Sequence, residues 1–398
     1  MKPLLGGLKL EPKKETTLIP WSSARASAPR RISLPIQNEN DSFSACVEPG
    51  ERVKRGQKIA VEKSGVALHA SISGEVVTVN SVIEIISDGK DEALPDIGQK
   101  RRNWESLSNE EVAEILKDSG IDPRPPGPVK ALILNACESE PYLTSDHSLL
   151  MSHPVEVLRG AEILRNLIGV EQVILAIEDN KEEVAEVLKS KIFFHHWSKT
   201  RVEILPALFP QELEPVLIRS LGFEISNSWV VPVWMIYAVY EAVASQKPFY
   251  ERIVTLSGEC VAQPRNFWIR IGTLAEDAVK YARGFLRKPA KVVLGGPMLG
   301  RAISDLRSPV LKDTRAILGL PPEVSRPETI EPCIRCNRCV ESCPIDISPV
   351  MITLASEKGL FDVARDYGSE ACVECGNCSY VCPAKRPMLE LIQYANAQ

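Results

Sequence analysis

The sequence has 398 residues, 25% of them charged, and a formal net charge of −5 at pH 7. This length allows two or three domains with their own cores, and the acidic balance argues against a nucleic-acid-binding surface, which needs clustered basic residues. We therefore expect protein or small-molecule partners. The longest apolar run, residues 229–243, is interrupted by Pro232 and is shorter than the roughly 18–20 residues of a membrane span. The N-terminus turns charged without a signal-peptide core, so we expect a cytoplasmic protein with no membrane span of its own.

Residues 31–80 predict a small β domain. Short apolar runs such as RISLPI and SGEVVTVN alternate with turn signals. The spacing V-x-P-G-x-x-V-x-x-G-Q, which starts at Val47, resembles the barrel-sandwich hybrid of biotinyl and lipoyl carriers. No lysine occupies the hairpin tip that those carriers modify. We therefore assign this domain, with limits at residues 1–100, a docking role.

Residues 101–248 predict a central α/β domain. It begins with the charged helical pattern SNEEVAEILKDSG and the proline-rich segment DPRPPGP. Two buried-strand runs, VKALILNA and EQVILAIE, then alternate with helical patterns, which predicts a parallel sheet covered by helices on both faces. Residues 249–325 combine short strands, glycine turns and a helix, and predict a compact α+β module.

Eight of the eleven cysteines lie in two runs near the C-terminus, CIRCNRCVESCP and CVECGNCSYVCP. Both runs follow C-x2-C-x2-C-x3-C-P, the spacing of bacterial two-cluster ferredoxins, in which the fourth cysteine of each run ligates the cluster of the other run. The spacing therefore predicts two [4Fe–4S] clusters. The expected ligands are Cys333, Cys336, Cys339 and Cys382 for one cluster, and Cys372, Cys375, Cys378 and Cys343 for the other.

Zinc is the alternative for these runs, because zinc ribbons also use C-x2-C pairs. A regularly spaced third cysteine and a Cys-Pro in each run favour iron–sulfur clusters. The segment between the runs predicts one helix and a second partial helix, so we expect an α-helical ferredoxin domain at residues 326–398. The single cysteines Cys46, Cys137 and Cys260 are expected to be small buried hydrophobic side chains.

With these motifs identified, the whole chain resembles the C subunit of the Rnf electron-transport complex and, more remotely, the flavoprotein subunit of respiratory complex I. The resemblance implies four parts in order: a barrel-sandwich-like β domain, a flavoprotein-like α/β domain with a parallel sheet, an SLBB-like α+β module and a two-cluster ferredoxin domain. It rests on Leu5–Gly7 (LGG), the β domain, NACESEPYLTSDHSLLM from Asn135, IEDNKEE from Ile177, the RIVTLSG and WIRIGT strands, LGGPMLG from Leu294, and the two cysteine runs.

The resemblance also implies an FMN and NADH site in the central domain, but its three motifs are altered here. Where the family has a glycine-rich loop, G-x-G-G-A-G-F-P-T, this chain has KDSGIDPRPPGPVKALIL, whose prolines remove amide donors for phosphate. Glu212 and Leu213 replace glycines of a Y-P-Q-G-G-E-K-type segment, and VPVWMIYAV replaces an N-V-G-T-type segment. We therefore expect neither FMN nor NAD to bind. The retained Glu138, Glu140 and Asp146 could hold a ligand, but we expect a structural role for them, such as capping amides near a helix start.

The leading hypothesis is an electron-transfer subunit of an Rnf-type complex on the inner face of the membrane. It would have no catalytic residues of its own and would pass electrons from a ferredoxin or flavoprotein to other redox subunits. One alternative is an adapter subunit of a soluble reductase, which gene neighbourhood would reveal. The other is an NADH dehydrogenase subunit with a remodelled flavin site, which the flavin content would reveal.

Overall fold

The computed structural model describes residues 6–18, 23–37, 42–324 and 329–398. Leu5 of the LGG motif and the expected domain boundary at residues 325 and 326 lie outside the described residues. The described residues form four β-sheets and a helical C-terminal region. The expected fold class is confirmed, whereas the exact domain limits stay a prediction.

The N-terminal region forms two antiparallel sheets that share one apolar core. Strands β2, β8, β7 and β4 make one sheet, and β3, β5 and β6 make the other, while β1 joins a later sheet. Alternating residues of these strands point inward, and Ile32, Ile59 and Ile85 are completely buried. The elements are α1 (Glu15–Leu18), β1 (Ala24–Arg25), β2 (Arg31–Pro35), β3 (Phe43–Ala45), β4 (Arg52–Val53), β5 (Lys58–Glu62), β6 (Ala67–His69), β7 (Gly74–Val79) and β8 (Val82–Ser87).

Helix α2 (Asn109–Asp118) links this region to the central domain. Its start is fixed by a capping box, in which the amide of Glu111 donates to Ser108 Oγ at 3.2 Å and the amide of Ser108 donates to Glu111 Oε2 at 2.7 Å. Val112 and Leu116 of this helix pack into the core of the N-terminal sheets. The helix therefore anchors the proline-rich segment that follows it.

The central domain is a four-stranded parallel sheet in the order β11-β10-β9-β12. Alternate residues of β9 face opposite sides: Leu132 and Leu134 pack with α4 and α7, whereas Ile133 packs with α6. Helices on both faces confirm the predicted architecture. The elements are β9 (Ala131–Asn135), α3 (Ser145–Ser152), α4 (Pro154–Ile168), β10 (Gln172–Glu178), α5 (Glu182–Phe194), β11 (Thr200–Leu205), α6 (Glu214–Leu221), β12 (Ser228–Pro232) and α7 (Val233–Ser245).

A mixed six-stranded sheet follows, in the order β1-β14-β13-β17-β15-β16. Helix α8 packs against this sheet through Ala275, Ala278 and Val279, which join its apolar core. The sheet places the glycine turn after β15 and the residues before β17 beside the central domain. The elements are β13 (Glu251–Ser257), β14 (Arg265–Arg270), α8 (Ala275–Tyr281), β15 (Lys291–Leu294), β16 (Arg301–Ile303) and β17 (Ala316–Leu320).

The C-terminal region consists of short helices around the cysteine runs. Helices α9 and α12 each contain the third cysteine of a run, and α10, α11 and α13 pack together over Ile352, Ala364 and Ile392. In the part of the chain that the structure describes, no helix has the length and apolar character needed to cross a membrane. The elements are α9 (Arg338–Glu341), α10 (Pro349–Ser356), α11 (Phe361–Asp366), α12 (Asn377–Tyr380) and α13 (Met388–Asn396).

Candidate functional site

The structure gathers the eight cysteines of the two runs around two separate cavities. Each cavity combines three cysteines of one run with the fourth cysteine of the other run. The first cysteine site, around a cavity of about 400 Å³, comprises Cys333, Cys336, Cys339 and Cys382. The second cysteine site comprises Cys343, Cys372, Cys375 and Cys378.

The two runs have the same local backbone. Arg335 and Glu374, the third residues of the runs, have left-handed φ values of 56° and 54°. This conformation turns each amide back, so that the amide of Arg335 donates to Cys333 Sγ and that of Glu374 donates to Cys372 Sγ, both at 3.4 Å. Such N–H···S bonds stabilise negative charge on a ligating sulfur.

The sulfurs of both sites need a cation if they are to ionise. Burial raises the pKa of Cys375 to about 11 and that of Cys378 to about 12, and it also raises the pKa of Cys339 and Cys372. Thiolate ligation must therefore be driven by the charge of bound metal, which displaces the protons. Among the described residues, no three Cys, His, Asp or Glu side chains lie close enough together to hold a single metal ion. That these eight sulfurs hold clusters stays a prediction.

A second polar region lies at the carboxyl ends of β9 and β10, the edge where open α/β sheets usually bind ligands. Here charged side chains fill the edge of the sheet, and most of them are buried. We call this set the buried charge network. Its members are Lys14, Glu138, Glu140, Asp146, Glu178, Lys181, Glu212 and Arg315.

Glu138 lies at the centre of the buried charge network and is completely buried. Its carboxylate accepts hydrogen bonds from the amides of Asp146 at 2.8 Å and His147 at 3.0 Å, at the start of α3. Lys181 Nζ lies 3.2 Å from Glu138 Oε2 and 2.9 Å from Glu178 Oε2. The capping role expected for Glu138 is therefore present, and its charge is balanced by a buried lysine.

Two further cations of the network come from distant parts of the chain. Lys14 Nζ, on the N-terminal segment, donates to the carbonyl oxygen of Glu138. Arg315, just before β17, donates from Nη2 to the carbonyl oxygen of Cys137 and to Asp146 Oδ2, both at 3.0 Å. Neither cation was predicted from the sequence, because neither belongs to a motif and a single basic residue carries no pattern.

Glu140 connects two of the family motifs. Its Oε2 accepts hydrogen bonds from the amides of Met298 at 2.7 Å and Leu299 at 2.9 Å, in the LGGPMLG turn. A Cβ atom on Gly296 would overlap the Glu140 carboxylate. Gly296 of the LGGPMLG motif has no side chain and therefore leaves space for the carboxylate of Glu140, which belongs to the motif that starts at Asn135.

Neighbouring charges give the two buried acids Glu138 and Glu212 different pKa values. Burial raises the pKa of Glu212 to about 8, and the nearby charge of Glu140 adds to this effect. Burial alone would also raise the pKa of Glu138, but Lys181 and Arg315 lower it below its ordinary value. At neutral pH Glu138 is thus a carboxylate, whereas most of Glu212 carries a proton.

The expectation for the three single cysteines is correct in two cases. Cys137 and Cys260 are buried, as expected, but Cys46 is exposed. The expectation for Cys46 is therefore wrong. It follows β3, a short strand of a three-stranded sheet, and its side chain faces away from the core.

Comparison with known families agrees with this architecture. Residues 3–93 match the RnfC barrel sandwich hybrid domain, and residues 119–230 match the Nuo51 FMN-binding domain. Residues 253–302 match the SLBB domain, and residues 332–385 match the 4Fe-4S dicluster domain. A solved structure of an NAD+-reducing [NiFe]-hydrogenase in the air-oxidized state is similar with a TM-score of 0.48 and 17% identity, over 66% of this chain and 54% of that chain.

Curated relatives match over nearly the full length. The C subunit of the proton-translocating ferredoxin:NAD(+) oxidoreductase complex of Clostridium ljungdahlii is 34% identical, over 94% of this chain and 89% of that protein. The corresponding subunit of the Na(+)-translocating complex of Acetobacterium woodii is 30% identical, over 99% and 96%. That of the ion-translocating complex of Rhodobacter capsulatus is 30% identical, over 93% and 78%. This chain therefore belongs to the RnfC family, the C subunits of ion-translocating oxidoreductase complexes.

Proposed function

We propose that this chain passes electrons through two [4Fe–4S] clusters as a peripheral subunit of an Rnf-type redox complex, without binding FMN or NADH. The observation that carries the proposal is the arrangement of eight cysteines in two sets of four, each set drawing on both runs. The match of residues 332–385 to a 4Fe-4S dicluster domain supports it. Clusters of this kind supply low-potential one-electron transfer.

The residues of the chain have separate tasks in this proposal. The first and second cysteine sites each supply four thiolates, and the amides of Arg335 and Glu374 stabilise the charge on Cys333 and Cys372. The short helices α9 and α12 end next to Cys343 and Cys382, which brings each fourth ligand to the opposite site. The two clusters would thereby be held in one region, whose helices share a single apolar core.

The relatives suggest the partners. Their names describe complexes that couple ferredoxin and NAD(+). For this chain we propose other redox subunits as partners and a ferredoxin or a flavoprotein as the electron donor. The ligand arrangement leaves the direction of electron flow to be fixed by the potentials of those partners.

The buried charge network supports the absence of FMN. A flavin phosphate needs free amide donors at a helix start or a glycine-rich loop. The first amides of α3 are already bonded to Glu138, and the segment before β9 contains four prolines in residues 122–128. These residues do not fit a bound phosphate, although the domain keeps the fold of the FMN-binding family that it matches.

That match favours a second candidate function, an NADH dehydrogenase subunit with a remodelled flavin site. Cofactor content distinguishes the two. Protein purified without oxygen should contain about eight iron and eight sulfide per chain, with flavin far below one equivalent. Near-stoichiometric flavin would favour the dehydrogenase, and stoichiometric zinc with little sulfide would exclude the clusters.

A matched pair of variants strengthens this measurement. Cys336→Ala removes a thiol of the first cysteine site and should lower the iron content by about half, because one of two cubanes loses a ligand. Cys46→Ala removes an exposed cysteine outside both sites and should leave the iron content unchanged. Equal iron loss in both variants would contradict the assignment of ligands.

A further inference from the structure

The two cysteine sites differ in how far they open to solvent. In the first cysteine site Cys336 is exposed and Cys333 is partly exposed. In the second, Cys372 is partly exposed as well, and the other three cysteines are each 7% exposed. The remaining two cysteines of the first site are also buried, so the difference between the sites lies at Cys336. Because electron tunnelling weakens steeply with distance, a cluster held in the first site would be the easier of the two for a docked protein partner to reach.

The second cysteine site is covered by the chain itself. The amide of Gly7 and the side-chain amide of Asn377 both donate to the carbonyl oxygen of Ser342, at 3.1 and 3.0 Å. A Cβ atom on Gly6 would lie 2.5 Å from the carbonyl oxygen of Cys343. The N-terminal segment therefore lies directly on the backbone beside Cys343 and takes the place that a partner would need there.

The surface around the first cysteine site combines apolar and basic side chains. Ile334 is 67% exposed and Met351 is 39% exposed, although both are large apolar residues. Arg335 and Arg338 beside them are exposed as well. The described residues that line this cavity include no acidic residue and three arginines, but Arg386 is buried and paired with Glu357. Arg335 and Arg338 therefore carry the exposed positive charge. The whole chain has a net charge of −5, so this basic surface is local.

The two cysteine runs form an internal repeat. Comparing them shows that the fold of the cysteine loop does not require the exposed side chains of the first run. The second run has the same backbone, yet Glu374 stands at the position of Arg335 and the buried Asn377 at the position of Arg338. Exposed Ile334 likewise corresponds to the less exposed Val373. Two runs that fold alike thus present opposite charge at these positions, and of the two only the run with the exposed Cys336 presents arginines.

We propose that the surface formed by Ile334, Arg335, Arg338 and Met351 docks an acidic one-electron carrier protein. The proposal rests on the presence of clusters in the proposed function. A small apolar contact surrounded by charge suits a transient redox complex, in which complementary charge speeds and orients the encounter. In the transfer one electron leaves the reduced carrier and enters the cluster of the first cysteine site, so the carrier is oxidised and the cluster is reduced; no bond forms or breaks.

The test is the rate of electron transfer from a dithionite-reduced, acidic bacterial two-cluster ferredoxin to the oxidised, cluster-loaded full chain. The rate should fall between about 50 mM and about 500 mM salt, because screening weakens steering. Arg335→Glu/Arg338→Glu should slow the transfer by about tenfold or more at low salt and remove most of the salt dependence. Lys189→Glu/Lys199→Glu, which makes the same charge change on exposed lysines of the central domain, should leave the rate unchanged.

Iron content and cluster EPR spectra of each variant separate the two proposals. A chain without clusters would refute the proposed function. Intact clusters with an unchanged ferredoxin rate in the double arginine variant would overturn the docking surface alone. A slower rate in both double variants would show that net charge, and not this surface, controls the encounter, and would also overturn it.

Discussion

In the folded protein, burial of the Glu212 side chain favours its protonated form. Burial raises its pKa to about 8, so the folded protein retains a proton that the unfolded chain releases above its ordinary pKa. The group therefore lowers stability as pH rises from about 4.5 to about 8, and the loss levels off at higher pH, where both states have released the proton. A carboxyl group whose pKa is lowered by folding instead adds stability as pH rises. The contribution of Glu212 can therefore be recognised from the pH dependence of unfolding.

Glu212→Gln should reduce that pH-dependent loss of stability. We expect the variant to match the parent near pH 5 and to be more stable near pH 9, by on the order of 1–3 kcal/mol. Thermal unfolding across this pH range measures the effect. Glu186→Gln, on the exposed face of α5, is the control and should leave the profile unchanged; a parallel profile for Glu212→Gln would argue against the raised pKa.

Gly296 gives a steric test of the contact between Glu140 and the LGGPMLG turn. Gly296→Ala places a methyl group on the buried Glu140 carboxylate, so we expect a loss of about 2 kcal/mol or more in the free energy of unfolding. Gly127→Ala is the matched control, because a Cβ atom there meets nothing within 4 Å. Chemical denaturation compares the two. Equal stability of both variants would mean that the turn and Glu140 are not packed as described.

The short helices α9 and α12 lead to the fourth cysteine of each run, and variants of these cysteines test which cluster each one ligates. Because each fourth cysteine lies at the opposite site, Cys382→Ala should damage the same cluster as Cys336→Ala, and Cys343→Ala the same cluster as Cys375→Ala. EPR spectra of the reduced variants provide the comparison. If the spectrum of Cys382→Ala instead resembled that of Cys375→Ala, the exchange of ligands between runs would be wrong.

The elements themselves were largely predictable, because their signals are local. The runs VKALILNA and EQVILAIE become β9 and β10, and the segment between the cysteine runs becomes α10 and α11. The exposure of Cys46 was not predictable, since it depends on which face of a short strand meets the core. Hydrophobic periodicity predicts an element well and the environment of one residue at its end poorly.

At the scale of the whole molecule, the N-terminal segment joins parts that lie far apart in sequence. Leu8 forms a β-bridge with Phe209, and Lys13 Nζ lies 2.8 Å from Glu259 Oε1. The next residue, Lys14, enters the buried charge network. Such long-range contacts leave no local pattern, so the sequence predicts an altered flavin site but not which side chains fill that edge of the sheet.

In the proposed function this chain transfers electrons without hydride chemistry. The most direct measurement is NADH-driven ferricyanide reduction by the cluster-loaded chain, with and without added FMN, beside a relative that retains the glycine-rich loop. We expect a rate no higher than that of buffer for this chain and turnover for the relative, while dithionite still bleaches the clusters of both. NADH-dependent turnover by this chain, with or without added FMN, would contradict the proposed function and show that the chain is an NADH dehydrogenase subunit.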